Sequence, residues 1–103
     1  MSVLLEFAMF PTDKGESVSL HVSRIIKMIR DSGVEYQLTP MGTILEFNSM
    51  SEALTLIGKA YEQLEPDCDR VYSSLKFDIR KDKSNRLEGK IKSIEEKIGS
   101  VKK

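Results

Sequence analysis

Two glutamates stand inside runs that otherwise have the character of apolar strands. Glu6 interrupts "SVLLEFAMF" and Glu46 interrupts "TPMGTILEF". A carboxylate in such a place is costly unless a cation, a hydrogen-bond donor or a ligand meets it. Lys76, in the alternating run "RVYSSLKFDIR", is a cation of matching parity. Three chemistries suit this set. The acids and the lysine can satisfy one another under an oligomer interface. They can accept hydrogen bonds from a cationic or amidine-like ligand in a low-dielectric pocket. A buried acid with a raised pKa can also act as a general base. Thr43, directly after Gly42, either starts a strand or offers its hydroxyl at the mouth of such a pocket.

Other chemistry-bearing residues are isolated. His21 is the sole histidine and Cys68 the sole cysteine, so no disulfide, CxxC site or Ser/His/Asp arrangement arises. His21 reads as a helix-surface residue, not a metal ligand, and no metal or cofactor is implied. Asp67 and Asp69 flank Cys68, which gives its thiolate no positive charge to lean on. The stretch "TDKGES" contains neither GxxxxGK[ST] nor GxGxxG, so it reads as a turn with a Ser17 helix cap and not as a nucleotide loop.

These residues need elements to position them. Residues 2–10 read as a central strand stopped by Pro11. From Ser17, Val18, Val22, Ile25, Ile26 and Ile29 recur at helical spacing, and Gly33 ends the helix. "VEYQL" and "TILEFN" form a hairpin across "TPMG". Ser49 and Glu52 match a capping box ahead of Leu54, Ile57, Tyr61 and Leu64, with Pro66 as the stop. "RVYSSLKFDIR" alternates as a strand, and Leu87, Ile91, Ile94, Ile98 and Val101 mark a last amphipathic helix. The order β-α-β-β-α-β-α predicts one domain over residues 1–103. Its class is α+β: a ferredoxin-like βαββαβ sandwich, a four-stranded antiparallel sheet with an additional C-terminal helix. That helix would bury its stripe on the edge of its own sheet or on another subunit.

By parity, Val3, Leu5, Phe7 and Met9 face the helices, while Leu4, Glu6 and Phe10 face away with Ile44, Glu46, Tyr72 and Lys76. Glu6, Glu46 and Lys76 are therefore expected together on an open sheet face. Sixteen basic residues balance sixteen acidic ones, so no net field draws the chain to nucleic acid or anionic lipid. An acid in the third strand also argues against a base-stacking RNA sheet. The first loop lacks the paired cysteines of a metallochaperone and the arginine of an acylphosphatase. No apolar run approaches membrane-spanning length and no basic leader is evident, so the cytoplasm is the expected location.

The segments "GVEYQLTPMGTILEF" and "DRVYSSLKFDIRKD" resemble the small thiamine-binding protein family. The resemblance rests on Met41, Gly42, Thr43 and Glu46 in an M-G-T-x-x-E step. Arg70, Val71, Leu75, Lys76, Asp78 and Arg80 carry the last strand's pattern. It implies a ferredoxin-like homotetramer whose sheets pack together and which binds thiamine or its hydroxymethylpyrimidine moiety without catalysis. The implied ligand residues are Glu46 at the pyrimidine edge with Thr43 and Gly42 beside it, Glu6 and Lys76 as polar partners, and Phe10 or Tyr72 as an enclosing ring. Two alternatives stay open. One is a small enzyme of the dimeric α+β barrel type with Glu46 or Glu6 as base; the other is a structural oligomer without ligand.

Overall fold

The computed structural model describes residues 1–103. Its elements are β1 (Ser2–Pro11), α1 (Ser19–Ser32), β2 (Glu35–Thr39), β3 (Gly42–Phe47), α2 (Met50–Glu62), β4 (Val71–Arg80) and α3 (Arg86–Ile98). The strands form one antiparallel sheet in the order β2-β3-β1-β4. This is the expected α+β, ferredoxin-like arrangement with an extra C-terminal helix.

β1 is central because its inward side chains are large and uniformly apolar. Val3, Leu5, Phe7 and Met9 are buried against Ile25 and Ile29 of α1 and Ala53, Leu56 and Ala60 of α2. Register fixes the faces: Leu5 stands between Leu45 and Phe77, and Glu6 between Ile44 and Lys76. A slip of one residue would turn every core side chain outward. β4 has the alternation expected of it, yet its inward Leu75 and Ile79 remain 39% and 45% exposed, since the helices sit over the middle of the sheet and leave this edge strand thinly covered.

Some boundaries differ from the expected ones. α1 begins at Ser19 after Val18, with no side-chain cap, so Ser17 does not cap it. Gly33 does close the helix, in the left-handed conformation that glycine adopts freely (φ 81°). The Ser49 cap of α2 is present, its side chain accepting from the Glu52 N–H at 3.2 Å. α2 ends at Glu62, short of Pro66. Its buried stripe is Ala53, Leu56, Ala60 and the trailing Leu64, while Leu54 and Tyr61 face solvent. Two alanines let the helix lie close to the sheet, and that rotates the larger residues outward. β1 runs through Pro11 because the missing proline N–H lies on the side where β3 has already ended.

α3 does not lie along the sheet edge. It starts on the face opposite α1 and α2 and approaches β1, β2 and β3. Leu87 and Ile91 are half-buried there, whereas Ile94 and Ile98 are 39% and 73% exposed.

Candidate functional site

The two strand acids meet different partners. Glu6 lies opposite Lys76, with Oε1 3.8 Å from Nζ, and both side chains are more than half exposed. Such a pair is a solvated contact of small energy. Glu46 is half-buried and fully engaged. It accepts the Ser2 hydroxyl at 2.5 Å and the backbone N–H groups of Arg86 and Leu87 at 2.9 and 3.0 Å. Those amides open α3, whose preceding residue, Asn85, is left-handed and supplies no side-chain cap. Glu46 is thus the cap of a helix that follows it by forty residues in sequence. Arg86 completes the joint. Its guanidinium donates to the Ser2 hydroxyl and carbonyl at 3.0 Å each and to the Asp78 carboxylate at 2.8 Å. Burial pushes the Glu46 carboxyl up, but the Ser2, Leu87 and Arg86 donors outweigh it and hold the pKa below the ordinary glutamate value.

The expected cluster is therefore divided. Glu6 and Lys76 meet, but Glu46 turns away from them toward α3. Thr43 is not beside Glu46: it pairs with Phe7 in the inward row, is 3% exposed, and lies on the opposite face of the sheet. Phe10 and Tyr72 do pair across strands, ring centroids 5.6 Å apart at 38°.

Phe10, Gly42 and Thr43 line a cleft of about 230 Å³ at one end of the sheet, walled largely by apolar side chains that include Val18, just before α1, and Val22 and Ile26 of α1. The cleft exists because β1 outruns β3. Pairing with β3 stops at Phe7 and Thr43, while pairing with β4 continues to Pro11. The Thr12 N–H reaches Arg70 of the β4 side at 2.8 Å. The Phe7 carbonyl points the other way, toward Gly42, where an added Cβ would stand 3.1 Å from its oxygen. Backbone groups alternate sides along an antiparallel strand, so Met9 aims its N–H and C=O into the gap where β3 has ended. Gly42, at φ 153°, starts β3 close against β1. The hairpin tip is held by Thr39, which donates to the Gly42 carbonyl at 2.7 Å and accepts from the Met41 N–H at 3.2 Å. The result is an apolar slot with a strand edge along one wall and a threonine at its base.

The sequence reading missed two groupings. Ser2 and Arg86 were not singled out; "SNRLEG" offers Asn85 as an ordinary cap, and only the structure shows that Asn85 is left-handed and makes no such bond. His21 is not a free helix-surface residue: its side chain is 13% exposed and stands beside Asp67 and Cys68. Arg24 of α1 grips the same Asp67 with bonds of 3.2 and 2.9 Å. Burial, with Asp67 next to it, pushes the Cys68 thiol up, which keeps it from acting as a ready thiolate.

A ferredoxin-like sandwich with a small apolar slot and few polar groups has the form of a ligand-binding domain. A family model described as thiamine-binding protein matches residues 5–95, and the chain belongs to that family. It is 39% identical over 94 residues to a UPF0045 protein of Methanocaldococcus jannaschii, covering 91% of this chain and 93% of the relative. It is 35% identical over 83 residues to a UPF0045 protein of Methanothermobacter thermautotrophicus, covering 80% and 84%. The crystal structure of the Methanocaldococcus jannaschii protein superposes with a TM-score of 0.80, covering 92% of this chain and 97% of that one. A Thermotoga maritima protein, provisionally assigned to thiamine biosynthesis or salvage, shares the fold at 19% identity with a TM-score of 0.78, covering 91% and 99%. None of the helices is long and apolar enough to cross a membrane.

Proposed function

We propose that this chain binds thiamine or its hydroxymethylpyrimidine moiety without transforming it, as a cytoplasmic homo-oligomer. The observation that carries the reading is the cleft at the end of β3. At about 230 Å³ it falls below the roughly 300–1,000 Å³ typical of clefts for larger ligands, and it suits one substituted ring. The aminopyrimidine presents ring-nitrogen acceptors and an exocyclic amine along one edge. The Met9 N–H and C=O and the Thr43 hydroxyl offer complementary groups, and Phe10, steadied by Tyr72, closes the ring in. The thiazolium cation would remain at the mouth, in water. The membership of the thiamine-binding family supports the same ligand class.

On this reading Glu46 is structural, fixing α3 on the sheet face away from the cleft, and Glu6 and Lys76 belong to the face available for assembly. The depressed pKa of Glu46 is the opposite of what a general base working near neutrality needs, which disfavours Glu46 as the base of the enzyme alternative. The oligomer, a tetramer in the family pattern, is supported by the half-exposed Leu75 and Ile79 of the edge strand β4 and by Ile94 and Ile98 of α3.

Isothermal titration with thiamine and then with hydroxymethylpyrimidine tests the proposal. Saturable binding of both at similar affinity is the expected result. Heat from neither would leave the structural oligomer as the better reading.

A further inference from the structure

We infer that His21, Asp67 and Cys68 form a binding site for a divalent transition-metal ion of the zinc class, clipping the start of α1 to the segment after α2. The three residues offer one nitrogen, one oxygen and one sulfur ligand atom, all within 4.8 Å of one another. His21 Nε2 stands 3.6 Å from Asp67 Oδ2, and Cys68 Sγ stands 3.6 Å from Asp67 Oδ1. Around a tetrahedral zinc ion with ordinary bond lengths, neighbouring ligand atoms lie about 3.4–3.6 Å apart. Each spacing is thus close to a ligand-to-ligand distance around zinc; in the metal-free protein the Cys68 thiol donates to Asp67 Oδ1, a bond of ordinary length for sulfur that the ion would displace.

The state of the imidazole points the same way. Nε2 is beyond hydrogen-bond reach of Asp67, and the buried Nδ1 has no partner at all. An ion held at Nε2 satisfies the nitrogen that faces Asp67, while Nδ1, on the other edge of the ring, is left to a water. Cys68 is 6% exposed, and a mixed imidazole, thiolate and carboxylate set selects zinc-like metals over magnesium or calcium. Arg24 bonds both Asp67 oxygens, but a carboxylate has about four acceptor positions. The guanidinium thus holds the Asp67 carboxylate in place from the side of α1 and leaves acceptor positions for the ion. Asp67, 48% exposed on its side chain, provides the way in, and solvent fills the remaining coordination position. On binding, the metal replaces the Cys68 thiol proton, which passes to solvent.

Titration of the purified full chain with Co²⁺ is the test, with Zn²⁺ as competitor. One equivalent should produce tetrahedral visible bands and a thiolate-to-cobalt charge-transfer band that Zn²⁺ abolishes. His21→Asn, a conservative change that leaves the core intact, should weaken Co²⁺ binding at least tenfold, and Asp67→Asn should do the same. Cys68→Ser should remove the charge-transfer band. Absence of the bands in the unaltered protein would overturn the site. So would an undiminished affinity in His21→Asn, which would mark a thiol binding metal alone.

Discussion

The Glu46 carboxylate in β3 receives the backbone N–H of Arg86 at 2.9 Å, so a strand acid does the work usually done by a helix's own preceding residue. The second oxygen receives Leu87 at 3.0 Å. Replacing Glu46 by alanine orphans both amides and the Ser2 hydroxyl. A loss of about 1–2 kcal/mol is expected, read from the urea midpoint, with faster hydrogen exchange over residues 86–98. Affinity for hydroxymethylpyrimidine should be unchanged in Glu46→Gln, because the cleft opens on the other side of the strand. Lost binding with unchanged stability would return Glu46 to the ligand site.

The same carboxyl sets a pH dependence. Its folded pKa is depressed below the unfolded value. It therefore contributes stability that is complete above the ordinary glutamate pKa and lost as pH falls through the folded one. Denaturant midpoints should decline as pH falls below the ordinary glutamate pKa, and Glu46→Gln should flatten part of that slope. An identical slope in the variant would show that other carboxylates carry it.

Thr43→Val keeps the shape of a buried side chain and removes only the hydroxyl. The expected outcome is a fall of about tenfold in affinity for hydroxymethylpyrimidine, equivalent to about 1.4 kcal/mol, with the melting temperature little changed. Equal affinity in calorimetry would take the hydroxyl out of the recognition.

Gly42→Ala meets two obstacles, a left-handed φ of 153° and a carbonyl oxygen 3.1 Å from the new methyl. A destabilisation above about 1 kcal/mol is expected, together with weaker ligand binding as the hairpin shifts at the cleft mouth. A denaturation curve superposable on that of the parent would mean that β1 and β3 separate more readily than their packing suggests.

Ile98 lies 73% exposed at the far end of α3. Ile98→Asp should leave the monomer's stability within about 0.5 kcal/mol and reduce the mass found by sedimentation if α3 joins subunits. Truncation after Asp82 should lower the assembly state for the same reason. Unchanged mass in both would confine α3 to its own subunit.

Element order and strand parity were legible because the period of the apolar residues changes cleanly between two and three or four. Val3, Leu5 and Phe7 could belong to only one face once β1 was central. The fate of Glu46 was not legible, since its partners are amides of a helix start far along the chain and backbone donors leave no mark in sequence. Thr43 was placed beside Glu46 by proximity along the chain, although an odd spacing of three puts them on opposite faces. The cleft itself depends on how far β1 outruns β3, a register property that composition does not encode. His21 and Cys68 looked isolated for a related reason: the packing of α1 against the end of α2 brings them together, and no local spacing announces it.

Cys68, the only thiol, is 6% exposed and closes the core beneath the turn after α2. In the metal-free chain, a sulfhydryl reagent much bulkier than an ion reaches it only when that turn lifts. The unaltered chain thus carries its own clock for local opening: the labelling rate at fixed reagent concentration counts excursions of one small region, with no probe to install and no second site to confuse the signal.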